Sequence, residues 1–332
     1  VDGGGGGVDR RGPDRRRNAD RGVRLARDFL GHLPLCVIGI VATFAWVDDT
    51  PRPAQASGVD LPGQALAIVA LTAFVGAMIE LRPLGIAHPL VLGGIALAIA
   101  ACAAFVAVER QSAAPMLPLS LFADRTFSAA VVFGGFANLT YYGMVFVLSL
   151  YLQRVLGHTP LQTGLAFLPL TGGFLLSNLA SGPVVARFGS RGPMIAGALI
   201  DAAGFAALMF VGASTSTAAL LLPFLLIPTG MGLAVPAMTT AILGTVAQER
   251  AGTASAVLNT ARQAAGAIGV AAFGALAGHA TGGSQTASIV AGVKWSAGIS
   301  VALLICGALT ARRVRNAAQL AAKGMAGQAP RA

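Results

Sequence analysis

At 332 residues, with 55% hydrophobic and only 11% charged residues, the chain carries too little charge to coat a water-soluble fold of its size. Its net charge of +10 asks for no acidic or nucleic-acid partner, because most of the arginines sit in an N-terminal tail or beside apolar segments. Cys36, Cys102 and Cys306 lie singly in apolar stretches and read as small packing residues, so neither a disulfide framework nor a metal set is expected. The histidines are scattered, and no HExxH, GxSxG or GxxxxGK[ST] pattern occurs, so neither enzyme chemistry nor a cofactor is expected.

In chain order, residues 1–29 come first. They open with Val1, run through Gly3 to Gly7 and hold eight arginines against five aspartates. Such a segment cannot bury a core, and it reads as a disordered tail translated out of frame or from an upstream start; an arm for anionic lipid or nucleic acid is the competing reading. Nine mostly apolar stretches follow, at 30–47, 61–81, 88–108, 127–152, 161–186, 192–212, 217–243, 252–278 and 293–311. Each matches the roughly 20 residues a helix needs to cross a ~30 Å hydrocarbon core. The expected fold class is an all-α polytopic membrane protein. Residues 109–126 mix charges with Met116, Leu117, Leu119, Leu121 and Phe122, a pattern that suits an interfacial linker.

Orientation follows from Lys and Arg near the span ends. Eleven of them (Arg52, Arg110, Arg125, Arg187, Arg191, Arg250 and the five from Arg312 to Arg331) fall on one side, against Arg82, Arg154 and Lys294 on the other. The C-terminus, including the tail 313–332, is therefore expected in the cytoplasm, and the protein in the cell (inner) membrane as a multi-pass chain. The arginine-rich N-terminal tail then falls outside, against the rule.

Polar side chains inside spans are costly and so informative. Ser255, Asn259, Arg262 and Gln263 share one helix face, with Arg262 about 15 Å along from Gly252 at helical rise. Two readings of Arg262 stand open: it faces a cavity, or it snorkels to the cytoplasmic edge and locks packing. Asn138, Tyr142, Ser149 and Gln153 form a second stripe with Tyr141 beside it, and Thr171, Asn178 and Ser181 a third, next to Gly172 and Gly173, which allow close approach of backbones. The run Pro228-Thr229-Gly230-Met231-Gly232-Leu233-Ala234-Val235-Pro236 reads as a broken helix, in which Met231 and Met238 are either soft cavity walls or simple core. Gly274 and Gly278 make a GxxxG pair. Asp201, mid-span, is the candidate proton carrier.

The strings Pro115-Met116-Leu117-Pro118-Leu119-Ser120-Leu121-Phe122, Tyr151-Leu152-Gln153, Pro160-Leu161-Gln162-Thr163-Gly164-Leu165-Ala166 and Glu249-Arg250-Ala251-Gly252-Thr253-Ala254-Ser255-Ala256, followed by Asn259-Thr260-Ala261-Arg262-Gln263, resemble the second part of a drug:proton antiporter. The resemblance is to the fourteen-span, EmrB/QacA-type branch of the major facilitator superfamily, over about residues 31–312. It implies that residues 30–108 are three helices, the end of an N-terminal bundle plus a central pair, that 109–126 is a cytoplasmic linker, and that 127–312 is the complete C-terminal six-helix bundle. The family's gating loop G-x-x-x-D-R-x-G-R matches at Gly182, Arg187, Gly189 and Arg191, but Ala186 stands where the family has an acid. The resemblance also puts Asp201 on a peripheral helix and leaves the first five helices without a counterpart.

The resemblance implies multidrug efflux by proton antiport, with the lipid bilayer, small lipophilic or cationic substrates and protons as partners, and a missing N-terminal half or a second copy completing the pathway. The expected cavity residues are Asn138, Tyr142, Asn178, Met231, Met238, Asn259, Arg262 and Gln263. The alternative is an inactive fragment or membrane-embedded interaction module without transport. The topology has a direct check: a fluorescent protein fused after Ala332 should fluoresce and alkaline phosphatase at the same point should be inactive, and the opposite pattern contradicts the orientation.

Overall fold

In the computed structural model the described residues are 33–46, 60–112, 115, 119–278 and 284–315, and among them every regular element is helical. The chain divides into two units, residues 1–56 and 57–332. In the first, helix α1 spans Leu33–Trp46. At 14 residues its described part is shorter than a full crossing, and the expected tail 1–29 lies outside the described residues.

The second unit begins with a hairpin of α2 (Leu61–Leu84) and α3 (Pro89–Gln111). Asp60 caps α2 by accepting from the Gly63 N–H at 2.9 Å, and Pro89 opens α3 where its missing N–H leaves no bond unmade. In the expected linker, Leu119–Ala123 forms a short 3-10 turn that buries Leu121 and sets Phe122 edge-on to Phe127 at 5.3 Å.

The bundle follows: α4 (Arg125–Arg154), the short α5 (Pro160–Ala166), α6 (Leu168–Phe188), α7 (Arg191–Leu208), α8 (Leu221–Leu243), α9 (Ala251–Gly278) and α10 (Gln285–Ala311). Its starts are written locally. Asp124 accepts from the N–H groups of Thr126 and Phe127 at 2.7 and 3.0 Å, and Thr159 with Gln162 forms a reciprocal capping box. Six segments are long and apolar enough to cross a membrane, Leu61–Leu81, Pro89–Gln111, Arg125–Arg154, Pro160–Phe188, Thr217–Leu243 and Gln285–Ala311. Helices α7 and α9, which carry Asp201 and Arg262 within their lengths, complete the bundle.

Three expectations need correction. The fifth span stands as one apolar segment, Pro160–Phe188, with a one-residue turn at Phe167 between α5 and α6. The seventh is not broken: α8 runs unbroken through Pro228 and Pro236. Hydroxyls of α6 support it there, Ser177 donating to the Pro228 carbonyl at 3.1 Å and Ser181 to the Leu233 carbonyl at 2.9 Å. The last helix starts at Gln285, not 293; its polar first turn is capped by Ser284 and braced where Gly292 meets Ala277. The three cysteines are exposed rather than packed.

The bundle curls. Helix α9 packs on α4, α4 on α10, α10 on α7, α7 on α8 and α8 on α6, while α4 also touches α8 across the middle. Helices α6 and α9 form no substantial interface with each other, so the curl is open between them. The α2–α3 hairpin lies against α9.

Glycines set the crossings, as expected where lipid gives no reward for burying leucine. On α9, a Cβ at Gly269 would meet the Leu139 backbone of α4, with its Cα at 2.9 Å. Gly197 of α7 and Gly230 of α8 oppose each other in the same way. Gly274 meets Phe146, and Gly173 meets Pro228 at 3.1 Å, whereas Gly172 faces open space. Replacing Gly269 by Val should destabilise the detergent-solubilised protein by about 1–3 kcal/mol or more, measured as a fall in melting temperature. The Gly172→Ala control should be neutral, and equal effects of the two would contradict the crossing.

Candidate functional site

Two apolar clusters fill the bundle. One gathers Phe127, Ala130, Met194, Met238, Ile242 and Leu258 at the end where α4 begins. The other gathers Leu148, Leu152, Phe205, Leu208, Phe224 and Phe273 at the end where α4 finishes. Tyr141 packs against both, and the polar side chains of the bundle interior collect at its level.

Arg262 enters this layer from α9. Its Cγ lies 3.3 Å from where a Cβ on Gly134 would be, so the absence of a side chain on α4 makes room for the arginine stem. The guanidinium is half-buried, and its Nε has no hydrogen-bond partner among the described residues. One turn along α4, Asn138 is 2% exposed, and its Nδ2 donates to the Gly134 carbonyl at 3.0 Å. Another turn on, Tyr142 lies against Gly266 of α9 and stands edge-on to Tyr141 at 5.4 Å.

Asp201 is 2% exposed, and its Oδ1 has no partner among the described residues. Gly230 admits it: a Cβ there would meet the Asp201 Cβ at 2.7 Å. A carboxyl taken out of water without a partner is expensive when ionised. Arg262, Tyr142 and Tyr141 make a polar line across the contact of α9 with α4, and Asp201 lies on α7 between residues of the two apolar clusters.

The expected site residues divide. Tyr142 is 43% exposed, Asn259 and Gln263 are exposed, and Asn178 and Arg262 are half-buried. Asn138 is sealed and spends its amide on its own helix. Met231 and Met238 are 3% and 0% exposed and belong to the apolar cluster, so as placed they are core and not wall. Ser177 and Ser181 hold α6 to α8.

In the loop between α6 and α7, Gly189 takes φ +72°, which only glycine adopts without strain. Gly182, Arg187 and Arg191 are exposed, and Arg187 lies over the Phe188 ring at 5.5 Å. Tyr141 and Gly134 were missed as site residues. The signal for both was present, since Tyr141 lies three residues after Asn138 and Gly134 four before it, on the same helix face.

A sequence model of the Major Facilitator Superfamily matches residues 21–270. The chain belongs to the Major Facilitator Superfamily. This is a family of membrane transporters, not of enzymes, and the helices agree with a multi-pass membrane protein. Among its relatives, the methylenomycin A resistance protein of Streptomyces coelicolor is 33% identical over 246 residues, 74% of this chain and 51% of the relative. The multidrug resistance protein Stp of Mycobacterium tuberculosis is 32% identical over 248 residues, 75% and 46%. The puromycin resistance protein pur8 of Streptomyces alboniger is 36% identical over 235 residues, 69% and 46%. The chain spans about half the length of these relatives.

Proposed function

We propose that this chain forms the second bundle of an exporter of lipophilic, often cationic drugs, driven by proton antiport and related to the fourteen-span EmrB/QacA-type branch. The observation that carries the reading is the polar line Arg262, Tyr142, Tyr141, with the buried Asp201 on α7, set between two apolar clusters. Sites of secondary transporters sit near the midplane between two bundles that rock about them. In this reading α6 and α9 are the edges that meet a first bundle, supplied by a longer parent chain or a second copy. Tyr142, Asn178, Asn259, Arg262 and Gln263 face the substrate, and Asn138, Met231 and Met238 act only through packing. Asp201 exchanges the proton, with Tyr141 between it and the cavity. The loop at Gly182, Arg187, Gly189 and Arg191 serves as the gate on the cytoplasmic side, in the inner membrane with the C-terminus inside.

Residues 30–108 are proposed as the last helix of a first bundle with a central pair, 109–126 as a cytoplasmic linker, 127–312 as the C-terminal bundle, and 1–29 and 313–332 as tails. The names of the relatives, which include resistance to methylenomycin A and to puromycin, support a drug-sized substrate.

The test is proton-driven dye transport in inverted membrane vesicles, comparing the chain alone with the chain preceded in frame, before α1, by the first five helices of the mycobacterial relative. Transport is expected only from the second form. There, Arg262→Ala should slow transport by about tenfold or more, and Asp201→Asn should remove its dependence on the pH gradient, both at unchanged membrane expression. Full activity in both variants contradicts the assignment.

A further inference from the structure

At the start of α4 and the end of α10, on the opposite side of α4's first turns from the curl's opening, a cleft of about 580 Å³ is walled by Arg125, Arg313 and Arg315. Ser128 and Thr310 lie between them, and Phe122 and Val132 continue the wall on its apolar side. We infer that this cleft binds the phosphate group of an anionic phospholipid, with the first part of its chains along Val132.

Three observations lead there. The cleft is built: the Arg315 N–H donates to the Oγ1 of the fully buried Thr126 at 3.3 Å, which holds the chain after α10 against the start of α4 and brings both sets of arginines to one place. The arginines are unspent, since none of the three has a carboxylate partner among the described residues, and the nearest acid in sequence, Asp124, is occupied in capping α4. The lining is graded. Guanidinium groups stand at the helix ends, the level of lipid headgroups, and Val132, 43% exposed, lies two turns further along α4 toward the hydrocarbon. Arginine offers a planar fork matched to phosphate oxygens, and basic pockets between transmembrane helices at this level suit anionic headgroups. Arginines kept only to set topology need no cleft and no tie between two helix ends. The inference stands apart from transport, because none of these residues belongs to the polar line or the gating loop.

Phosphate chemistry is shared by a lipid headgroup and by free phosphate, and the experiment separates them. The purified full chain is loaded with equal dioleoylphosphatidylglycerol and dioleoylphosphatidylcholine, and retained lipid is counted by native mass spectrometry, with and without a large excess of inorganic phosphate. Phosphatidylglycerol should be retained preferentially and should survive the phosphate challenge. Arg313→Gln and Arg125→Gln should each lower its retention about fivefold, as expected for one arginine at a lipid surface. Arg312→Gln removes an equal charge from an exposed neighbour outside the lining and should leave retention unchanged. All three substitutions fall on exposed residues, and a monodisperse elution profile checks that they fold. Equal retention of the two lipids, displacement by phosphate, or equal effects of Arg312→Gln and Arg313→Gln would overturn the inference.

Discussion

Lipid offers a helix neither a hydrogen-bond partner nor a gain from burying apolar side chains against a neighbour, and the bundle is organised by what remains: close approach of backbones and the settlement of every polar group inside the protein. Helix α4 meets α9 where Gly143 and Gly269 remove side chains, and α7 meets α8 where Gly197 faces Gly230. Hydroxyls do the second task. Ser177 and Ser181 bond to carbonyls of the proline-containing α8, which ties α6 to it. Tyr151 donates to the Gly212 carbonyl at 2.7 Å and closes the far end.

Against that economy the unsettled groups stand out. Arg262 Nε and Asp201 Oδ1 lack partners among the described residues, as do Ser296 Oγ and His158 Nδ1, but only the first two belong to groups that carry charge and lie inside the bundle. Each is admitted by a missing side chain, Gly134 for the arginine and Gly230 for the aspartate. A bundle that needed only to be stable would be better served by apolar residues at both positions. The open edge between α6 and α9 then has a physical meaning within the proposal: it is the side on which the layer reaches a substrate and a second bundle.

Much of this was legible in the sequence, because the span length is set by the bilayer and the polar interruptions are few. Of the one-face set Asn259, Arg262 and Gln263, the first and last are exposed and the arginine is half-buried. What was not legible depended on neighbours. Pro228 and Pro236 read as breakers because the supporting serines lie some fifty residues away in sequence. Met231 and Met238 have the right spacing for a wall and equally for a core, and only the helices packed around them decide for core. Asn138 has the right face, but its amide turns back to Gly134, a choice that spacing does not encode. The start of α10 was hidden because the polar Gln285, Thr286 and Ser288 weaken the apolar signal while Ser284 and the Gly292 contact sustain the helix.

The most direct test of the central claim, that the layer opens to water and substrate between α6 and α9, is labelling by a membrane-impermeant thiol reagent in native membranes. Cys36, Cys102 and Cys306 are first replaced by alanine, and single cysteines are then placed at Gln263, at Asn178 and at Leu176, which is 69% exposed on α6. Labelling at Gln263 and Asn178, slowed by a transported drug, with none at Leu176, is the result the account predicts. No labelling at Gln263 and Asn178, or labelling equal to that at Leu176, would contradict it.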